Sequence, residues 1–143
     1  MIEVYIDGLC KPVNLGGIAA YGLAVYRDGS RIHRDKGVVG EGLEMSNNVA
    51  EYDALCVALS WLKRVHSQEP ITIMSDSQLL VNQMSGKWKA KSGRYLTYYK
   101  KAMKLASGFS RISFNWTPRE ENTEADELSR MAFKTYGARA PSL

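Results

Sequence analysis

Four acidic residues stand at positions from which an α/β sheet can gather them into one site. Two of them directly follow short apolar strands expected at 2–6 and 71–75, and two are expected in the first turns of helices. Crowded carboxylates repel one another and raise each other's pKa values, and divalent cations with oxygen ligands relieve that repulsion. The pattern therefore predicts a metal-dependent hydrolase that acts on phosphate esters. The four residues are Asp7, Glu51, Asp76 and Asp126.

The elements that must position these residues follow the order β-β-β-α-β-α-α-β-α. The first three strands should form an antiparallel meander, because Asp28-Gly29 between the second and the third is a hairpin signal. The last two strands are reached through helices and should lie parallel to the first. The expected fold class is α/β, with a five-stranded mixed sheet (three antiparallel then two parallel strands) flanked by helices. The strands are expected at residues 2–6, 19–27, 30–39, 71–75 and 111–116.

The first helix should begin at Ser46-Asn47-Asn48, where residues that favour helix N-caps are dense. Asn48 and Glu51, three positions apart, resemble a capping box. Glu51 also lies in line with an apolar stripe of spacing three and four, so we expect its side chain to point toward the sheet. That is an unusual place for an ordinary surface charge. The stripe consists of Tyr52, Leu55, Leu59, Leu62 and His66. Further helices are expected up to about Met84, from 95 to 106, and from 122 or 123 to Gly137.

Open α/β sheets bind ligands at the carboxyl ends of their parallel strands. Asp7 and Asp76 should meet there, because neighbouring strands lie about 4.8 Å apart, and paired metal ions in phosphoryl-transfer sites lie roughly 3.5–4 Å apart. Oxygen ligands alone favour Mg²⁺ or Mn²⁺ over zinc. Each acidic residue by itself also has a purely structural explanation, as a helix-dipole or turn residue. Convergence of all four on one edge of the sheet favours a metal site.

The bulk properties narrow the class of protein. A chain of 143 residues has the size of one domain, and a net charge of +4 hints at an anionic partner. No apolar stretch approaches the roughly 18 residues of a membrane span, and the N-terminus lacks the pattern of a signal peptide. Cys10 and Cys56 show no metal-binding spacing and should be reduced thiols. These features predict a cytoplasmic protein without a membrane partner.

The four carboxylates lie in segments that resemble the signature segments of type 1 ribonuclease H. The likeness covers nearly the whole chain, in the family's order. The stretch 117–122 before the last aspartate is similar to compact prokaryotic members, particularly archaeal ones. The resemblance implies a single ribonuclease H domain over residues 1–143 with the ribonuclease H-like fold. The segments are Tyr5-Ile6-Asp7-Gly8, Ser46-Asn47-Asn48-Val49-Ala50-Glu51, Ser75-Asp76-Ser77-Gln78 and Asn122-Thr123-Glu124-Ala125-Asp126.

The resemblance implies an endonuclease that cuts the RNA strand of RNA/DNA hybrids and leaves a 5′-phosphate and a 3′-hydroxyl. A monomer is the default expectation for its oligomeric state. In the family's pattern, Asp7 bridges two Mg²⁺ ions, for which Mn²⁺ can substitute; Glu51 and Asp76 complete one side, and Asp126 holds the other. Two alternatives stay open. One is a nuclease of the same fold that acts on double-stranded RNA, and the other is a hybrid-binding module with weak catalysis, which the presence of all four carboxylates disfavours.

The resemblance also assigns contacts to nucleic acid. Asn47, Asn48 and Gln78 match positions that touch bases and ribose 2′-hydroxyls in the minor groove. Ser46 matches a position that holds a phosphate of the DNA strand, and Asn14 is a candidate phosphate or base contact in a loop of unusual length. For Ser46, Asn47 and Asn48, helix capping is the structural alternative.

The segment 86–95 interleaves basic and aromatic residues, among them Lys87, Trp88 and Lys89. That mixture suits a groove that neutralises phosphates and packs a ring against sugar or base. The alternative is a solvated basic loop with Trp88 buried in the core. Longer family members carry a basic helical protrusion here, which this chain is too short to hold.

The family's histidine in the loop before the last aspartate is absent. The two histidines of the chain, His33 and His66, fall on a predicted strand and on the predicted first helix. Arg119 or Glu121 is therefore expected in its place, and we favour Arg119 as a catalytic residue.

Overall fold

A computed structural model of the chain describes residues 1–65 and 68–139. The predicted element order and fold class are confirmed. A short 3-10 turn at Arg119–Glu121 precedes the last helix. The strands are β1 (Ile2–Lys11), β2 (Ile18–Arg27), β3 (Ser30–Glu41), β4 (Ile71–Ser75) and β5 (Ile112–Trp116). The helices are α1 (Asn47–Val65), α2 (Gln78–Met84), α3 (Leu96–Ala106) and α4 (Thr123–Arg139).

The five strands form one sheet in the order β3-β2-β1-β4-β5. Strands β1, β2 and β3 pair antiparallel, and β4 and β5 run parallel to β1, as predicted. The prediction that β1 ends at Ile6 is wrong. Its parallel pairing with β4 stops at Ile6 and Ser75, but its antiparallel pairing with β2 continues to Lys11. Asp7 thus lies inside a strand, at the first position beyond the edge of the parallel part.

Helices cover both faces of the sheet, and two glycines let them approach β1 and β2 closely. A side chain at Gly8 would collide with the backbone of Ala50 and Glu51 in α1. A side chain at Gly22, which pairs with Asp7, would collide with the Ala125 carbonyl in α4. The absence of side chains at these glycines therefore brings the starts of α1 and α4 next to the middle of β1.

The main core lies between the sheet and α1, where the apolar stripe of the helix is buried as predicted. The helix starts at Asn47, and the backbone N–H of Val49 donates to the buried Ser46 hydroxyl at 3.1 Å. The predicted capping box at Asn48 is therefore wrong, because Ser46 occupies the cap. Glu51 lies in the second turn and not in the first. The buried stripe residues are Tyr52, Leu55, Leu59 and Leu62; His66 lies outside the described residues.

Two further predictions concern the cysteines and the end of the last helix. Cys10 and Cys56 are free and buried. Helix α4 continues two residues past the predicted end at Gly137. Across residues 1–65 and 68–139, no helix combines the length and apolar character needed to cross a membrane.

Candidate active site

Three carboxylates from three elements meet where the parallel pairing of β1 and β4 ends. Asp7 comes from β1, Glu51 from the second turn of α1, and Asp76 from the residue after β4. One oxygen of each lies within 4.8 Å of the other two. Asp7 and Glu51 are buried, and Asp76 is half-buried. The strand register and the side-chain-free position at Gly8 together produce this convergence.

Burial is the main electrostatic influence on the three carboxylates. Burial, followed by the charge of Asp76 and a hydrogen bond with Asp126, raises the pKa of Asp7 to about 7. Burial and the charges of Asp7 and Asp76 raise the pKa of Glu51 well above its ordinary value. The pKa of Asp76 is also raised by burial, although the Arg119 guanidinium opposes the shift. The site therefore disfavours negative charge unless a cation accompanies it.

The donor set fits a hard divalent cation. The Oε2 atom of Glu51 is buried and accepts no hydrogen bond from any part of the chain that the structure describes. A buried acceptor without a donor is costly, and a cation beside it removes that cost. Three carboxylates with oxygen ligands only match the preference of Mg²⁺ and Mn²⁺.

Asp126 lies on the same cavity of about 420 Å³ but outside the tight group of three. Its Oδ2 atom is 3.0 Å from a guanidinium nitrogen of Arg130, one turn later in α4. Arg130 also lines the cavity, and the sequence interpretation did not single it out. The signal that could have found it is its spacing of four residues from Asp126 on one helix face.

Arg119 lines the carboxylate cavity, whereas Glu121 lines a different one with Tyr5 and Tyr26. Of the two residues considered in place of the family's histidine, the structure thus brings Arg119 to the carboxylates. His33 stacks on Trp61 at 4.1 Å between ring centroids, on the β3 side of the molecule.

Four of the predicted nucleic-acid contacts lie around the N-terminus of α1. Asn47 lines the carboxylate cavity, and its Oδ1 atom accepts the backbone N–H of Cys10 at 2.8 Å. Asn14 is exposed, and its Oδ1 atom accepts the backbone N–H of Asn47 at 2.8 Å. The Ser46 hydroxyl caps the helix, and Asn48 is half-buried beside it. The capping alternative thus holds for Ser46, while Asn47 faces the cavity.

The basic loop, residues 86–95 between α2 and α3, exposes its three predicted contact residues. Trp88 is 48% exposed, so the alternative that buries it in the core is wrong. Lys87 and Lys89 are exposed beside it. Lys87 and Gln78 line a separate groove between α2 and β5.

A buried amide anchors this loop to the core. The Nε2 atom of Gln83 donates to the Tyr95 hydroxyl at 2.9 Å and to the Lys89 carbonyl at 3.3 Å. The Tyr52 hydroxyl donates to Gln83 Oε1 at 2.6 Å. The rings of Tyr52 and Tyr95 stack at 5.5 Å. These contacts hold the middle of the loop, at Lys89, and its end, at Tyr95, against α2 and α1.

Comparison with known proteins places the chain in a family. A family model described as reverse transcriptase-like matches residues 28–132. The bifunctional protein Rv2228c of Mycobacterium tuberculosis is 41% identical over 118 residues, covering 81% of this chain and 31% of that protein. This chain therefore spans about a third of the length of its mycobacterial relatives. The ribonuclease HI of Halobacterium salinarum is 30% identical over 131 residues, covering 92% of this chain and 63% of that protein.

Solved structures agree with this placement. The N-terminal ribonuclease H domain of Rv2228c superposes with a TM-score of 0.87 at 33% identity, covering 98% of each chain. The LC11 ribonuclease H1 was isolated from compost by a metagenomic approach. Its structure in complex with an RNA/DNA hybrid superposes with a TM-score of 0.86 at 30% identity. That match covers 95% of this chain and 99% of the other. The chain belongs to the type 1 ribonuclease H family.

Proposed function

We propose that the protein is an endonuclease that hydrolyses the RNA strand of RNA/DNA hybrids. The observation that carries this proposal is the group of three carboxylates, with the buried Glu51 oxygen that lacks a donor. Two relatives support the substrate: one is named a ribonuclease HI, and another was solved with an RNA/DNA hybrid. The exposed basic loop suits a nucleic-acid duplex.

Asp7, Glu51 and Asp76 would hold a divalent cation, and Asp126 across the cavity would help to hold a second. We expect Mg²⁺, with Mn²⁺ as a substitute, because every ligand is a carboxylate. Bound there, the ions would stabilise the charge that develops on the phosphate and lower the pKa of the attacking water. The products would be a 5′-phosphate and a 3′-hydroxyl.

The chain's own residues orient the reacting groups. The backbone N–H of Gly8 donates to Asp7 Oδ1 at 2.9 Å, which fixes the direction of that carboxylate. Arg119 would place a positive charge beside Asp76, where it can attract a substrate phosphate and stabilise its developing charge. The Gly8 N–H belongs to the backbone of β1, so the Asp7 carboxylate needs little rearrangement when substrate arrives.

Residues around the N-terminus of α1, together with Gln78 at the start of α2 and the basic loop, would select the substrate. Asn47, Asn48 and Gln78 would touch bases and ribose 2′-hydroxyls, the groups that distinguish RNA from DNA. Ser46 and Asn14 lie at the helix N-terminus, which favours a phosphate. Lys87, Trp88 and Lys89 would follow the backbone of the duplex.

The test is a cleavage assay on a hybrid labelled in either strand, with Mg²⁺, with EDTA and with Asp7→Asn. We expect internal cuts in the RNA strand alone, lost with EDTA and lost at least about 100-fold in the variant, while hybrid binding survives. Asp28→Asn is a matched control, because Asp28 is an exposed carboxylate in the β2–β3 hairpin. Cleavage that persists in Asp7→Asn, or a cut DNA strand, would contradict the proposal. The same assay on double-stranded RNA tests the alternative that the protein acts on that substrate.

A further inference from the structure

A second groove of about 540 Å³ opens between α2 and β5, beside the carboxylates. Its volume lies within the roughly 300–1,000 Å³ of ligand sites. Two aromatic rings, three side-chain amides and one cation contribute to its lining, and no acidic side chain does so among the described residues. These side chains are Phe114, Trp116, Gln78, Asn82, Asn115 and Lys87.

Trp116 connects this groove to the candidate active site. It lines both the groove and the carboxylate cavity. Its indole Nε1 donates to the backbone carbonyl of Asp76 at 3.2 Å, yet 49% of the residue is exposed. The hydrogen bond satisfies the polar edge of the ring and fixes its orientation, so the exposed part is an apolar face held in place.

The chemistry of the groove matches unpaired nucleic acid. An aromatic face stacks with any base whose own face is not covered by neighbouring bases, as in an unpaired strand. The amides of Asn82 and Asn115 can pair with polar edges of bases or with sugar hydroxyls.

We propose that the α2–β5 groove binds the unpaired continuation of the RNA strand beyond the hybrid duplex, with a base stacked on Trp116. The inference rests on the proposed function, because it takes the strand that lies at Asp76 to be the RNA strand. The groove shares Trp116 with the carboxylate cavity, so a strand that leaves the carboxylates can continue past this ring into the groove.

The test compares four hybrids of one duplex sequence in EDTA: a blunt one, two with an unpaired RNA extension at the 5′ or 3′ end, and one with an unpaired DNA extension. Fluorescence anisotropy gives the Kd of each. We expect one of the RNA extensions to tighten binding about five-fold or more, the effect of stacking one base on an aromatic ring. Trp116→Ala should abolish this gain, and Trp116→Phe should retain it.

Met131→Ala is the matched control, because Met131 is a half-exposed apolar residue on α4 that does not line the groove. It should keep the gain. The groove assignment is overturned if neither RNA extension tightens binding, if the DNA extension gives an equal gain, or if the gain survives Trp116→Ala. Cleavage of the blunt hybrid by the wild-type protein with Mg²⁺ reports the proposed function separately. The comparison of the four hybrids uses the wild-type chain, so its result does not depend on whether the variants fold.

Discussion

At the residue scale, the Asp7 carboxyl links the site to the stability of the chain. Its pKa is raised to about 7 in the folded protein, first by burial and then by Asp76, from an ordinary value of 3.8. Between these two values the folded state holds a proton that the unfolded state has released. Without metal, stability should therefore fall as pH rises through this window, and it should stay low above it.

We predict that Asp7→Asn in EDTA unfolds at a temperature at least as high as wild type at pH 8. The neutral amide keeps an oxygen for the Gly8 N–H and removes a buried charge, a gain on the order of a few kcal/mol. Thermal unfolding followed by circular dichroism at pH 4 and pH 8 checks this, with Asp28→Asn as control. The advantage should shrink at pH 4, where Asp7 is protonated in wild type. A large drop in Tm at pH 8 would mean that the carboxylate itself stabilises the fold.

At the scale of elements, the sequence patterns located most strands and helices, because apolar periodicity reports burial directly. They missed the extension of β1 to Lys11, because those residues become a strand only through pairing with β2. They also placed the helix cap at Asn48, since three adjacent residues can all cap a helix and only the fold decides among them. Trp116 was not singled out as a site residue for a related reason, because its contact with the Asp76 carbonyl depends on a neighbouring strand. Arg130 was missed although its spacing of four residues from Asp126 is a local signal.

The position of the loop between α2 and α3 depends on the buried side chain of Gln83. The substitution Gln83→Leu tests this dependence. Leucine leaves the hydroxyls of Tyr52 and Tyr95 without their amide partner, which costs about 1–3 kcal/mol. We expect the loop to lose its fixed position, so that KM for the hybrid rises about five- to ten-fold while kcat stays within about two-fold.

Tyr99→Phe is the control for Gln83→Leu. The Tyr99 ring packs edge-on against Tyr52 at 5.8 Å, but its hydroxyl takes no part in the hydrogen bonds of Gln83. Steady-state kinetics, measured well below the unfolding temperatures of both variants, separates an effect on the position of the loop from an effect on stability. A fall in kcat with an unchanged KM would contradict a role in holding the loop.

At the scale of the whole molecule, charge is divided between two places. Acidic side chains gather at the carboxylate cavity, and exposed lysines extend along the loop that begins at Gly86. The chain as a whole still carries a net charge of +4. A polyanion is therefore attracted by the loop, and bound cations reduce the repulsion that it meets at the carboxylates.

This division predicts how hybrid affinity depends on salt. Each phosphate that a lysine neutralises releases bound counterions, so log K falls linearly with log salt concentration. Removing one such lysine should reduce the slope by about one. We expect Lys87→Ala and Lys89→Ala each to lower the slope by about that amount, in EDTA with a blunt hybrid, and the double variant by about two. Lys134→Ala on α4, exposed and outside both cavities, should leave the slope unchanged. Parallel salt plots for wild type and the double variant would show that the loop lies away from the duplex.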